Sequence, residues 1–322
     1  MIVSRTPLRI SFAGGGTDLR EFYSKEYGCV LSTSINKFVY VALNKKFDGR
    51  IQLNWSKIEH VDSVDEIQHP IFREAMRLTG VDSGIELTCM ADVPSSGSGL
   101  GSSSSFTVGV LNALHAFKGE RAGAEQLARE ACEIEIARLG EPIGKQDQYI
   151  AAYGGVCFFK FNPDESVEVK RLECSQPFLD SLQKSLSLFY TNIARSSSSV
   201  LSDQQKNTSQ RLSELRLLKG FAEKLKRDFE NSDSGALGEV LRSSWEEKKK
   251  LSSSISNPAI EKMYATAVAA GAQGGKILGA GGGGFLMVYS AEEKRKAVEN
   301  ALSGFKKLDF KLEKTGSTVK AF

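Results

Sequence analysis

The sequence predicts an α+β protein of two domains that meet near residue 180. Three observations carry that expectation. The first third is rich in short β-branched and aromatic runs, residues 201–271 are dominated by polar amphipathic stretches, and glycine-rich connections occur in both parts. A chain of 322 residues suffices for two such units, and 41% hydrophobic with 25% charged residues is ordinary for a folded protein. The expected units are residues 1–180 and 181–322.

The elements follow in order. LRISF (8–12) alternates in polarity, CVLSTSI (29–35) and KFVYVAL (37–43) are β-branched and aromatic, and GRIQLNW (49–55) follows a DG turn. HPIFREAMRLTG (69–80) places Pro near the start and Gly at the end of a short helix. IELTCMA (85–91) is a strand leading into the segment VPSSGSGLGSSSSF (93–106). Beyond it Phe106, Val110, Leu114 and Phe117 recur at helical spacing, and a second helix over 123–139 ends before GEPIG. Strands GGVCFFKF and SVEVKRL close the first unit. The second opens with strand SLSLFYTN and continues with helices over 201–230, 234–251 and 258–271. GGKILGAGGGGFLMVYS (274–290), a helix from 292 and two terminal strands complete it.

Composition excludes several function classes. Forty-two basic and 39 acidic residues give a net charge of +3, and they are well mixed. The run EEKKK (246–250) is balanced and reads as a solvated helix face, so neither a nucleic-acid groove nor a polybasic membrane anchor is expected. Five dispersed cysteines without a CxxC pair argue against a zinc site or a disulfide framework. The N-terminal stretch lacks the apolar core of a signal peptide, and no apolar run approaches about 18 residues. A cytoplasmic location is the expectation.

The segment 93–106 asks for an anion. The first turn of a helix leaves about four N–H groups unpaired, carrying roughly half a positive charge. Gly97, Gly99 and Gly101 let backbone approach a phosphate closely, and the serines add hydroxyl donors that can also serve a metal. A Walker A loop is excluded because no Lys occurs between 58 and 117, and the spacing is GxGxG rather than the GxGxxG of a dinucleotide fold. A serine-capped helix after a flexible loop would share this composition. A second segment, ILGAGGGGFLM (277–287), sets five glycines among six residues, more than a hairpin needs, and reads as backbone approaching a ligand. A third, RTPLRISFAGGGTD (5–18), ends a strand in three glycines with Arg9 inside and Asp18 after. In a fourth, EIARLGEPIGKQDQ (135–148), a helix ends at Gly140 and an irregular segment presents Asp147.

Taken in this order, the four segments resemble the GHMP kinase family of galactokinase, homoserine, mevalonate and phosphomevalonate kinases. GLGSSSS is similar to that family's phosphate-binding motif, LRISFAGGGTD to its N-terminal motif and LGAGGGGF to its C-terminal glycine-rich motif. The chain departs from galactokinase, which has GEHTDY where GGGTDL stands, and from mevalonate kinase, which has Lys in place of Arg9. The resemblance implies an S5-domain-2-like N-terminal domain and a ferredoxin-like C-terminal domain with the active site between them.

It further implies transfer of a phosphoryl group from ATP, with Mg²⁺, to the anomeric hydroxyl of a heptose 7-phosphate, for nucleotide-activated heptose and surface polysaccharide. The alternatives are a 1-kinase for another sugar such as fucose and a non-catalytic sugar and ATP sensor. By the resemblance Asp147 would act on the C1 hydroxyl, with Arg9 stabilising charge on the attacking oxygen. Ser96, Gly97, Ser98, Gly99, Leu100, Gly101, Ser102, Ser103 and Ser104 would hold the ATP phosphates. Glu135, twelve residues before Asp147, would bind the metal with Ser103 or its neighbour Ser102. Gly14, Gly15, Gly16, Thr17, Asp18, Gly281, Gly282 and Gly283 would line the sugar. Arg195 would meet the sugar's phosphate, with Lys145 and Arg20 behind it. The expected partners are small molecules, with no nucleic acid and no membrane, and a homodimer is left open.

Overall fold

Strand β1 (Ile2–Ala13) sets the architecture because its inner half is buried on both faces. The computed structural model describes residues 1–94, 97–194 and 197–322. Side chains alternate along a strand, so Leu8, Ile10 and Phe12 face one way and Arg9 and Ser11 the other. The apolar set packs on the second half of the chain, against Leu186, Leu188, Phe229, Leu237, Leu241 and Met287. The polar set faces the functional cavity.

The first sheet has eight strands. β1 pairs antiparallel with β2 (Gly28–Lys45), whose second half pairs with β5 (Ile85–Ala91) and whose first half pairs with β6 (Val156–Phe161). β3 (Ile51–Asn54) joins β5 in parallel, β4 (Ile58–Val61) lies outside β3, and β7 (Val167–Arg171) edges β6. Helices α2 (Pro70–Thr79), α3 (Ser102–Phe117), α4 (Ala124–Cys132) and α5 (Gln146–Tyr153) share one core with this sheet, in which Val41, Leu43, Leu53 and Leu87 meet Phe72, Val108, Leu111 and Ile150. α1 (Arg20–Tyr23) is a single turn between β1 and β2.

The second sheet contains β8 (Leu186–Tyr190), β9 (Gly274–Ile277), β10 (Phe285–Tyr289) and β11 (Lys307–Leu308), in the order β11-β8-β10-β9. It is surrounded by α6 (Gln176–Ser185), α7 (Ser197–Asn207), α8 (Leu212–Glu230), α9 (Leu237–Leu251), α10 (Pro258–Ala269) and α11 (Glu292–Ala301). Its core centres on Phe189, Trp245, Ile260, Met263, Ile277 and Leu286. Full burial of one such side chain stabilises the fold by about 1.5–3 kcal/mol.

Several expectations are corrected. The two runs at 29–35 and 37–43 form one 18-residue strand, because Asn36 and Lys37 only mark where β2 changes partners. The helix expected over 201–230 is two, α7 and α8, with Arg211 between them at φ −118°. The segment carrying Asp147 is helical, with Asp147 the second residue of α5. The final strand, β12 (Thr318–Ala321), returns to pair with β1 in the first sheet, so residues 181–322 do not all belong to the second. The segment Glu133–Arg138 after α4 widens into a π-helical turn, closed by Leu139 N–H donating to Ile134 O at 3.0 Å.

Candidate active site

The cavity, of about 650 Å³, opens between the two halves, within the range of about 300–1,000 Å³ usual for small-molecule sites. Its first wall is the segment after β5. Gly97, Gly99 and Gly101 take left-handed φ of 70°, 74° and 76°. Gly101 is also the N-cap residue directly before α3, and it offers no side chain to cap the first turn. By contrast α6 and α10 are capped by Ser175 and Asn257. The first amides of α3 thus point at the cavity without a side-chain acceptor, a natural seat for an anion.

Within that loop the roles divide. Gly97, Ser98, Gly99, Gly101, Ser102, Ser103 and Ser104 line the cavity. Leu100 does not: its side chain is fully buried, its N–H donates to Ser98 Oγ at 3.3 Å, and its carbonyl accepts from Arg9 N–H at 3.0 Å. The expectation that Leu100 contacts phosphate is corrected, since both its polar groups are already used. Ser96 lies outside the described residues, as does Arg195.

Facing the loop is a bidentate ion pair. Arg9 Nε donates to Asp147 Oδ1 at 2.8 Å and Arg9 Nη2 to Oδ2 at 2.7 Å, while Nη1 reaches Gly99 O. Gln146 Nε2 adds a bond of 3.0 Å to Oδ1, and its own Oε1 is held by the hydroxyls of Ser11 at 2.6 Å and Ser32 at 2.9 Å. A carboxylate offers about four acceptor positions. Three are taken, and the Asp147 side chain, 26% exposed, lines the cavity.

Asp18 sits beside Asp147. Gly16 N–H donates to its Oδ1 at 2.9 Å and Gln146 N–H to its Oδ2 at 3.3 Å. Burial, with the Asp147 charge nearby, raises its carboxyl above the usual range against those amide bonds. Gly144 allows the approach, since a Cβ there would stand 2.0 Å from Asp18 Oδ2. Gly15 and Gly16 line the cavity as expected from the sequence. Gly14 and Thr17 do not. A Cβ on Gly14 would meet Cys29 O at 2.0 Å, and the fully buried Thr17 hydroxyl bonds Gly14 O and Cys29 O at 2.8 and 2.9 Å. These two shape the turn from within.

Glu135 lies behind the loop, almost fully buried in the π-helical turn. Ser103 Oγ donates to its Oε1 at 2.7 Å and Gln148 Nε2 to its Oε2 at 2.8 Å. Burial raises its carboxyl, and no cation pairs with it among the described residues. Ser102 turns instead to Ser98, Oγ to Oγ at 3.0 Å, so of the two serines only Ser103 stands with Glu135.

The second glycine-rich segment is corrected most. Only Gly279 and Ala280 of it reach the cavity. A Cβ on Gly281 would stand 2.9 Å from Ile255 O and one on Gly283 2.3 Å from Ile193 O, and Gly282 N–H donates to Ile255 O at 2.7 Å. These glycines admit protein backbone rather than sugar. Lys145 and Arg20 are likewise committed, both to Glu165, which also accepts from Tyr23 Oη.

Among the cavity residues that the sequence reading missed are Lys248, Lys276 and Gln204. Lys248, in the run taken for a solvated face, is 5% exposed, and Lys276 is 3% exposed. Gln204 is buried with its Nε2 unbonded and aimed at Gly16, where a Cβ would lie 2.4 Å away. The signal for Lys248 was its spacing, for Leu237, Leu241, Trp245, Lys248 and Leu251 share the inward stripe of α9.

Comparison with known proteins places the chain among its relatives. The family model "GHMP kinases N terminal domain" matches residues 64–155 and "GHMP kinases C terminal" matches 222–307. D-glycero-alpha-D-manno-heptose 7-phosphate kinase of Campylobacter jejuni is 32% identical over 315 residues, covering 94% of this chain and 93% of that protein. A crystal structure described as a D-glycero-D-manno-heptose 1-phosphate kinase from Bacteroides thetaiotaomicron superposes with TM-score 0.85 at 26% identity, covering 100% and 99%. L-fucokinase/L-fucose-1-P guanylyltransferase of Bacteroides fragilis is 26% identical over 91% of this chain but only 35% of its own length.

Proposed function

The chain belongs to the GHMP kinase family, and from that premise we propose that it phosphorylates the anomeric C1 hydroxyl of D-glycero-D-manno-heptose 7-phosphate with ATP. It is an ATP-dependent sugar kinase. The observation that carries the reading is the Arg9–Asp147 pair packed against Gly101, where the uncapped end of α3 begins.

Phosphoryl transfer asks a protein mainly for positioning and charge stabilisation around an in-line displacement. The amides and hydroxyls of Gly97, Ser98, Gly99, Gly101, Ser102, Ser103 and Ser104 hold the ATP phosphates. Asp147 uses its free acceptor position to orient the C1 hydroxyl and take its proton as the oxygen attacks phosphorus and ADP leaves. Arg9 fixes that carboxylate from behind and stabilises charge on the attacking oxygen. Asp18 and Gln204 hold sugar hydroxyls. The full burial of the Glu135 carboxylate, without a cation beside it, fits Mg²⁺, which takes one or two carboxylates and completes its shell with phosphate and water. Glu135 and the Ser103 hydroxyl would hold it, and bound there it would neutralise charge on the transferring phosphates. No helix among the described residues is long and apolar enough to cross a membrane, and we place the enzyme in the cytoplasm.

The test is a substrate panel of heptose 7-phosphate, fucose, mannose and galactose with ATP. The expected result is ADP release with the heptose phosphate and an acid-labile anomeric phosphate in the product. Preference for fucose by kcat/KM would replace the substrate, and no ADP with any sugar would remove the kinase reading.

A further inference from the structure

Two ammonium groups in the cavity remain unexplained by the mechanism above. Lys248 comes from α9 and Lys276 from β9, and both line the cavity although each is nearly inaccessible to solvent. Burying a lysine without a counter-ion is costly, and buried charges in proteins are ordinarily paired. Among the described residues neither has a carboxylate within ion-pair distance. The two nearby acids are committed elsewhere, Asp147 to Arg9 and Asp18 to backbone amides.

Each ammonium has three donors, and each makes one hydrogen bond to a carbonyl. Lys248 Nζ donates to Gly279 O, and Lys276 Nζ donates to Phe12 O at 3.3 Å. These anchors lie on opposite sides of the reaction. Gly279 abuts the phosphate loop, since a Cβ on it would stand 2.8 Å from Gly99 Cα. Phe12 directly precedes the turn that carries Gly15, Gly16 and Asp18. Arg9 contributes a third positive charge to the same field.

We propose that Lys248 and Lys276 form a two-ammonium seat for a phosphate group where nucleotide and sugar meet; this deepens the sugar-kinase reading and rests on it. A phosphate supplies the missing counter-charge and accepts the spare N–H donors of both side chains. The surroundings are consistent with a seat that is short of negative charge. Burial with the Arg9 charge pushes Lys248 down to about 8, against the opposing pull of Asp18 and Asp147, and burial next to Lys248 and Arg9 pushes Lys276 well below the usual lysine value. The phosphate can come from either substrate, as the terminal group of ATP in transfer or as the group already on the sugar.

Ligand pairs that differ by one phosphate separate these sources. Calorimetry compares AMP-PNP with ADP, and heptose 7-phosphate with free heptose, on the full chain and on Lys248→Met and Lys276→Met. The expected result is a loss of about tenfold or more for one phosphate-richer member, with its partner ligand changed less than about twofold. Loss confined to AMP-PNP assigns the seat to the transferred phosphoryl group. Loss confined to heptose 7-phosphate assigns it to the acceptor's own phosphate. Equal effects within both pairs, or no effect, overturn the proposal and leave the lysines as struts for the Gly279 and Phe12 carbonyls.

Should the variants not fold, ¹³C-lysine NMR of the unmodified protein decides. The lysine signals that titrate low must move to higher pH with the phosphate-richer ligand and stay in place with its partner. Unmoved signals overturn the seat. If heptose 7-phosphate fails to bind the unmodified protein, the substrate assignment fails, while the nucleotide pair still tests the lysines.

Discussion

The two glycine-rich segments, Gly97–Gly101 and Gly279–Gly284, look alike in sequence and divide their work differently, although Gly99 of the first also packs on backbone, where a Cβ would stand 2.4 Å from Leu278 O. The first uses left-handed glycines to bend into a helix whose leading amides stay open to the cavity. The second uses them to press against protein: Gly281 on Ile255, Gly283 on Ile193, Gly284 on Ser98 and Gly279 on Gly99. The second is a buttress for the first. Glycine density announces a close approach without saying what approaches. What tells the two apart is that the first runs into a helix whose opening residues, Ser102 to Ser104, line the cavity.

That contrast can be broken from either side. The largest effect is expected at the reacting end, where Asp147→Asn keeps the shape but removes the acceptor. Turnover should fall more than about 100-fold with nucleotide affinity changed less than about twofold, read by coupled assay and calorimetry. Near-normal turnover removes Asp147 from the chemistry.

In the buttress the damage should appear as stability. Gly284 has φ +83°, and a Cβ would stand 2.5 Å from Ser98 O, so Gly284→Ala should lower unfolding free energy by about 2–4 kcal/mol. Gly15 is the control. It has no atom within 4 Å of an added Cβ, and Gly15→Ala should leave stability within about 0.5 kcal/mol while raising the sugar KM. Equal melting temperatures for the two variants would remove the buttress role of Gly284.

A smaller effect is expected at Gly144, where an added Cβ would displace Asp18. Gly144→Ala should raise the KM for sugar by about tenfold with the ATP KM unchanged, and a matched rise in both would take Asp18 off the sugar side. The smallest concerns a site that neither loop touches. His115 is buried between Glu130 and Glu120, with ring nitrogens 2.7 Å from each. Hydrogen bonding to Glu130 first, and to Glu120, raises its pKa above the ordinary histidine value despite burial. The folded value exceeds the unfolded one. The stabilisation is therefore complete below about pH 6.5, the unfolded value, and is lost as pH rises through the folded value. Urea midpoints of the unmodified protein should fall relative to His115→Gln across that interval. A pH-independent difference would remove the linkage.

Much of the fold was legible where periodicity speaks for itself. The inward face of β5 follows spacing alone, as Ile85 and Leu87 demonstrate, whereas α3 was legible as a helix but is buried nearly all round, with Phe106 and Phe117 only half-buried. Helix α5 was missed because Gln146, Gln148 and Tyr149 are all buried, so no polar face contrasts with an apolar one. Of the site, Arg9, Asp147 and the serine loop were readable through the resemblance of their segments to kinase motifs, since an Asp between two Gln is unremarkable by itself. Lys248 was hidden inside EEKKK, where local charge balance outweighed its position on the apolar stripe. Lys276 was hidden by the glycines around it. Composition reports what a window contains, whereas burial depends on which face each residue occupies, and charged cavity residues are the ones for which those two disagree.

The π-helical turn at Glu133–Arg138 carries a consequence for sequence change. Such a turn holds one residue more than the regular α pitch, and each residue advances a helix by about 100°. Point substitutions on its outer side leave that advance untouched. Deleting one of its residues other than Glu135 would return the segment to regular pitch and turn Glu135 away from the Ser103 hydroxyl. In a library of variants this stretch should accept exchanges on its outer face and refuse shortening, a signature by which length rather than chemistry reveals where the buried carboxylate is kept.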